Sequence, residues 1–252
     1  MSNNIVGLMK KGSSPINLDD RYVKFKKFAP LILNGHWLKD GDAYLSNNGE
    51  TAMIQLSGHR IPSTVTGGPL VNDVYEFTNT HFHWRKENSN GSEHQINGTC
   101  FSMEAHVVHW NRKYLTFDKC LQHKDGLAIL TYFFLVTEKN CDGNNPLVEK
   151  ITDYLKYVVE PNTEINIPAN SLCWMRNATY CPKYYTYAGT YNKGSTPECA
   201  TWIVFPLIIP ISACQIEEFR KLRNHEGARI MENCKDIQTP NGRRIFLVAN
   251  SH

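Results

Sequence analysis

The chain has 252 residues, 41% of them hydrophobic and 20% charged, a balance that excludes intrinsic disorder and fibrous repeats. Lys and Arg outnumber Asp and Glu by 27 to 24, and a net charge of +3 is too small to mark a nucleic-acid or membrane-surface protein. The longest apolar runs, over 127–136 and 202–211, fall short of the ~18 residues a membrane helix needs, and Pro206 and Pro210 interrupt the second.

In chain order, residues 1–17 lack the apolar core of a signal peptide, so a cytoplasmic protein is expected, or a secreted one if a signal peptide is missing from this sequence. Strand-like runs rich in β-branched and aromatic residues recur at Ala52–Leu56, Val74–Trp84, Cys100–Trp110, Leu127–Val136 and Thr201–Ile209. Turn signals separate them, among them Asn47-Asn48-Gly49, Asn90-Gly91, Asn97-Gly98 and Asp142-Gly143. Helical periodicity is confined to Asn145–Val159 and Ser212–Leu222, where Ser212 as N-cap and Gln215 make a capping box. The pattern predicts a mainly β (α+β) single domain with short peripheral helices.

Eight cysteines (Cys100, Cys120, Cys141, Cys173, Cys181, Cys199, Cys214 and Cys234) are too few for a disulfide scaffold and form no CxxC pair. They are expected to be mainly free, mostly buried thiols. Asn90, Asn97 and Asn177 open sequons that would accept glycans only in a secreted chain.

The chemistry lies in Thr80-His81-Phe82-His83-Trp84. On a strand, residues i and i+2 share a face, so His81 and His83 point together while Phe82 and Trp84 pack behind. A second strand, Phe101–Trp110, can bring His106 across from them if the two pair antiparallel. Three neutral imidazoles converging on one point suit Zn²⁺ with a fourth position open, although copper and nickel also bind imidazole. Asn79 is placed to fix the ring of His81, and Glu104 to accept the remaining N–H of His106.

His81-Phe82-His83-Trp84, Gly91-Ser92-Glu93-His94 and Met103–Asn111 together resemble the zinc-site signature of the alpha-class (eukaryotic-type) carbonic anhydrases. Ser14-Pro15-Ile16-Asn17, Leu45–Gly49, Asp125–Leu130, Tyr184–Tyr187, Glu198–Val204 and Asn241-Gly242-Arg243 extend the likeness in order. The resemblance implies one domain over 13–250, preceded by a short extension over 1–12, built on a large, twisted, mostly antiparallel sheet. It implies Zn²⁺ on His81, His83 and His106 at the base of a conical cavity, with Glu104 behind His106 and Glu93 in a hydrogen-bond relay. His94 and His109 match structural histidines of the family. Val108, Ile129, Tyr191 and Trp202 fall on its apolar carbon dioxide pocket. The implied activity is reversible hydration of carbon dioxide to bicarbonate and a proton by zinc-bound hydroxide. The implied partner is that small substrate alone, for a monomer without nucleic acid or a transmembrane segment.

Departures from the family pattern predict a reduced rate. Asn192 stands where the family has the threonine that partners the relay carboxylate, unless a gapped alignment brings Ser195 and Thr196 there. Tyr191 replaces a leucine-like residue. Glu50 occupies the position of the proton-shuttle histidine, and moving a proton from a group near pKa 7 to an ordinary carboxyl near 4.3 is uphill by ~3.7 kcal/mol. Both cysteines of the disulfide typical of secreted members are absent from their places. The rival reading is a catalytically weak binding or adhesion module that retains the zinc site, with the basic runs Lys24–Lys27 and Arg220–Arg223 as contacts for an anionic chain.

Overall fold

A computed structural model describes residues 13–191 and 198–249. The extension expected over 1–12 lies outside the described residues. Three short strands, β1 (Asn17–Leu18), β2 (Lys24–Lys26) and β3 (Ile32–Asn34), come first. β4 (Asp42–Asn47) and β5 (Ala52–Ser57) form a hairpin whose turn is written in its side chains. Asn47 Oδ1 accepts from the Gly49 amide and Asn48 Oδ1 from the Glu50 and Thr51 amides, while Gly49 takes the left-handed φ of 84° that a side chain would disfavour.

After β6 (Thr64–Thr66) come β7 (Tyr75–Trp84), the two-residue β8 (Gln95–Ile96), β9 (Met103–Asn111) and β10 (Leu127–Glu138). β11 (Thr163–Ile167), β12 (Lys183–Gly189), β13 (Ala200–Ser212) and β14 (Phe246–Ala249) complete the set. All but β1 and β8 join one twelve-stranded sheet in the order β11-β4-β5-β7-β9-β10-β13-β12-β14-β2, with β6 and β3 attached through β7. Most neighbours run antiparallel; β10 with β13 and β14 with β2 run parallel. The mainly β expectation holds. β13 runs three residues past the expected end at Ile209, with Pro210 opposite Leu135, and Pro206 falls in an irregularity where residues 206–208 oppose Phe133 alone and no ladder bond is asked of that proline.

The two faces of the sheet carry two cores. One collects Phe82, Trp84, Ala105, Val107, Tyr132 and Phe205, the other Val108, Ile129, Phe133, Tyr187 and Trp202. Alternation along β9 and β10 sends neighbours such as Val107 and Val108 to opposite sides. α1 (Phe117–Cys120) and α3 (Arg176–Thr179) are single turns, whereas α2 (Pro146–Leu155) and α4 (Ala213–Arg220) cover the first face. α4 starts with the expected Ser212–Gln215 capping box and lays Phe219 on Phe82 and Trp84, with ring centroids 5.0 and 5.6 Å apart. That contact backs the strand carrying His81 and His83.

The cysteines are mainly free, as expected, but two of the eight are paired and most of the free ones are not fully buried. Cys141 and Cys214 form a disulfide across a sequence separation of 73, with Cα atoms 5.4 Å apart. Parallel pairing of β10 with β13 sets Glu138 beside Ser212, so the segments that follow them, one before α2 and one opening α4, arrive together. Of the six free cysteines only Cys120 and Cys199 are buried; Cys100, Cys173, Cys181 and Cys234 are half-buried. Thiol titration of the denatured protein without reductant should therefore find six of the eight cysteines reactive; eight would contradict the disulfide. The basic run at 220–223 is not a continuous surface face either. Arg220 is buried, donating to the Arg85 carbonyl and to Asn88 Oδ1.

Two buried histidines meet away from the metal-site cluster: His36 Nε2 lies 2.8 Å from His109 Nε2. His109 Nδ1 faces the Val107 carbonyl at 3.1 Å and so carries its proton, leaving Nε2 to accept from His36. Burial, and then the neighbouring His109, hold His36 well below the ordinary histidine range, and burial pushes His109 down to about 4. Both are neutral when folded and bind protons near 6.5 when unfolded. The unfolded state therefore gains protons first, and stability should fall as pH drops from 6.5 towards 4, by about 3 kcal/mol for His109. Urea titrations across that range should show the loss. His36→Gln, which keeps a donor for His109 without a titrating ring, should remove the His36 share of the loss and leave the His109 share; an unchanged slope would contradict the titration of His36.

Candidate metal centre

The antiparallel register of β7 and β9 places His81 opposite His106 and His83 opposite Glu104. The pleat turns Asn79, His81 and His83 to one side and buries Phe82 and Trp84 on the other. The imidazole rings lie 4.5 to 5.3 Å apart, and one nitrogen from each sits within 4.8 Å of the other two.

Each outward nitrogen meets an acceptor. His81 Nδ1 is 2.9 Å from Asn79 Oδ1, His83 Nδ1 is 3.3 Å from the Asn233 carbonyl and from Glu93 Oε1, and His106 Nε2 is 2.6 Å from Glu104 Oε1. These partners assign the ring protons outward, leaving three lone pairs to converge. His83 Nε2 and His106 Nδ1 then approach to 3.1 Å with no proton to share. Two lone pairs at that distance repel, and a cation between them turns the repulsion into ligation. Burial, with the neighbouring imidazoles, holds His81 well below the ordinary range, and burial brings His83 down to about 4, so both are neutral at pH 7 as ligands must be. His81, His83 and His106 therefore fit a metal ion.

Glu104 anchors the rear of the cluster. Its Oε1 accepts from His106 and from His94 Nδ1 at 2.7 Å, and its Oε2 from the Glu93 and His94 amides at 2.9 and 2.7 Å. Burial works against its charge, but His94 and His106 outweigh it and hold the carboxyl well below its usual range. His94 Nε2 in turn lies 2.6 Å from the Tyr187 hydroxyl.

Glu93 Oε1 accepts from the Lys235 amide at 2.7 Å, whereas its buried Oε2 has no hydrogen-bond partner among the described residues. Although burial opposes ionisation, His83, His106 and Lys235 keep its pKa lowered. Asn192, expected as its partner, lies outside the described residues, as do Ser195 and Thr196.

A cavity of about 940 Å³ opens onto His81 and His83, with exposed Glu50 on its rim and Tyr191 on its wall. The Tyr191 ring packs 6.5 Å from His81 and 6.0 Å from Phe117. Val108, Ile129 and Trp202 are buried in the core cluster against which Tyr191 packs, and they do not line this cavity.

Sequence reasoning passed over the segment 224–235, much of which forms the opposite wall. Asn233 accepts from the Trp84 amide at 2.8 Å and donates to the Phe82 and Glu50 carbonyls at 2.9 and 3.0 Å. It thus ties the histidine strand to the Glu50 turn. No local pattern announces it, because the segment is irregular and its partners are some 150 residues away.

The family model of the eukaryotic-type carbonic anhydrases matches residues 5–249. The human protein named carbonic anhydrase-related protein is 30% identical over 234 residues, covering 91% of this chain and 78% of its own length. Mouse carbonic anhydrase 7 is 32% identical over 207 residues, covering 80% of this chain and 75% of its own. The match over nearly the whole described sheet shows that the chain belongs to the eukaryotic-type carbonic anhydrase family.

Proposed function

We propose that this chain binds Zn²⁺ on His81, His83 and His106 and hydrates carbon dioxide reversibly, at a reduced rate. The observation that carries the reading is the convergence of three unprotonated imidazole nitrogens, each with its other nitrogen held by a separate acceptor, at the wall of an open cavity. A zinc ion held there lowers the pKa of a bound water to about 7, making hydroxide available at neutral pH.

The protein's own groups supply the rest. Glu104 and Asn79 orient His106 and His81, and the carboxylate raises the basicity of its ligand. Glu93 Oε2 offers a buried acceptor to a hydroxyl or amide, the role proposed for Asn192. Glu50 is the proton acceptor at the rim. The apolar wall for carbon dioxide is Val108, Ile129 and Trp202, reached past Tyr191. A monomer acting on carbon dioxide and bicarbonate needs no further partner. The Cys141–Cys214 disulfide favours an oxidising compartment, the secreted alternative, over the cytoplasm.

The reduced rate follows from two residues. Tyr191 stands between the cavity and the apolar wall, and a carboxylate at position 50 is poorly matched to a group near pKa 7. The position of Tyr191 also favours the second reading, a binding module that retains metal without useful turnover, and the carbonic anhydrase-related protein among the relatives agrees in name.

Stopped-flow hydration assays on zinc-loaded protein separate the two. The enzyme reading expects zinc-dependent turnover whose kcat rises with added imidazole while kcat/KM stays nearly constant, because imidazole replaces Glu50 in proton release. Stoichiometric zinc with no turnover above buffer would establish the binding module.

A further inference from the structure

The turn that carries Glu50 meets a second titratable group. His225 is exposed, on the irregular segment that forms the opposite wall, and it lays its ring on Gly49 so closely that a side chain at position 49 would run into it. Its Nε2 lies 3.1 Å from the Asn48 carbonyl, which only accepts, so Nε2 carries the ring proton and donates it. Nδ1 is left without a partner among the described residues. Both sides of this contact are fixed. Asn47 Nδ2 donates to the Val159 and Arg223 carbonyls at 2.9 and 3.0 Å, and Asn224 Oδ1 accepts from the Glu226 and Ala228 amides, each at 3.0 Å. Asn48, Gly49, Glu50 and Asn224 all line the cavity that opens onto His81 and His83, which puts the ring of His225 at its rim.

We infer that His225 is a proton-transfer residue of this site, a second acceptor at the rim that passes protons from the cavity to solvent beside Glu50. The inference rests on the hydration reading above. Hydration releases one proton for each carbon dioxide consumed in the cavity. Nδ1 takes that proton up through solvent, the ring becomes imidazolium, and a base in the bulk buffer removes the proton and restores the neutral ring. The anchoring bond is made by the Nε2 hydrogen, which both forms of the ring possess, so loading and unloading Nδ1 leaves the ring in place. An imidazole's ordinary pKa of about 6.5 lies beside the value near 7 of the group that gives up the proton, far nearer than a carboxyl's. The charged neighbours are Glu50 on the turn and Arg223, Glu226 and Arg229 on its own segment. Arg223 is turned to Glu160 and the Gly227 carbonyl, and Arg229 to the Arg220 carbonyl, so neither guanidinium is bonded to the ring. The family pattern has its shuttle at the position of Glu50, on the turn itself. His225 reaches the same turn from the other wall, where no motif announces it.

The test compares the unmodified protein with His225→Gln and His225→Ala. Gln keeps a donor for the Asn48 carbonyl but takes up no proton, whereas Ala loses both, so a residue that only ties the walls together would leave Gln like the unmodified protein. With zinc loaded, both variants should lose about tenfold in kcat, with kcat/KM unchanged and a larger rescue by added imidazole. That loss is smaller than the roughly 10²–10⁴-fold of a sole proton-transfer group, because Glu50 and buffer remain. In the metal-free protein, the nitrogen-15 ring signals of His225 should show Nδ1 gaining a proton as the pH falls while Nε2 stays protonated throughout. Unchanged kcat in His225→Gln, an equal fall in kcat/KM, or a ring that takes no proton at Nδ1 would overturn the inference. No turnover from unmodified protein that carries zinc would instead defeat the hydration reading itself, and this inference with it.

Discussion

His106→Ala should yield a folded protein that no longer holds zinc and whose carbon dioxide hydration drops to the buffer background. His106 contributes the nitrogen nearest another ligand, 3.1 Å from His83 Nε2, so its loss leaves two imidazoles on one strand with nothing opposite. Two neutral nitrogens do not make the closed side of a tetrahedral site. The fold should survive. The deletion removes one donor from Glu104, which keeps three others, and the cost of about 1–3 kcal/mol is that of one altered buried hydrogen bond. Metal analysis after gel filtration is the check: close to one zinc per unmodified chain and essentially none in the variant. Stoichiometric zinc in His106→Ala would mean that the ion sits elsewhere.

Glu104→Ala should be the most damaging single change to the site and the fold together. It strands four donors at once, the Glu93 and His94 amides and the ring nitrogens of His94 and His106, in a place with no access to water. Removing one partner of a buried charged cluster costs about 3–5 kcal/mol, and losing an orienting carboxylate weakens metal binding roughly 10–100-fold. Glu104→Gln discriminates further. An amide has one acceptor oxygen for four donors, so whichever way it turns, its own N–H groups face either the imidazoles or the backbone amides. Because the native carboxyl is held below its ordinary pKa, its contribution is present above the unfolded value of 4.5 and is lost as the pH falls below it. Thermal melts of zinc-loaded and metal-free protein at pH 7, with a chelator titration, measure both effects. Unchanged melting and affinity in Glu104→Gln would contradict the network.

What was legible in the sequence follows from period and spacing. The i, i+2 placement of His81 and His83, with Phe82 and Trp84 between them, is a strand signature that the pleat converts directly into a shared face. The Ser212–Gln215 capping box is equally local, and both stand in the structure as read. Long-range contacts were not legible. The Cys141–Cys214 disulfide depends on the parallel pairing of β10 with β13, a fact of topology that no local pattern carries. Asn233 and Lys235 reach the site from an irregular segment with neither period nor motif. Tyr191 was recognisable as a bulky substitution, but its packing 6.5 Å from the His81 ring appears only when β7 and the segment after β12 are brought together. The relay position at Asn192 lies outside the described residues and stays an expectation.

The central claim is that this site performs hydroxide attack on carbon dioxide, and the most direct measurement is the exchange of a carbon-13 label between carbon dioxide and bicarbonate. Label exchange at chemical equilibrium reads the attack and its reversal without waiting for proton release, so a poor acceptor at Glu50 does not mask it. Zinc-loaded protein should accelerate the exchange well above buffer, His106→Ala should not, and Tyr191→Leu should change the rate by opening the apolar wall. Exchange at the buffer rate from a protein carrying one zinc per chain would contradict the account and leave a metal-binding module in place of an enzyme.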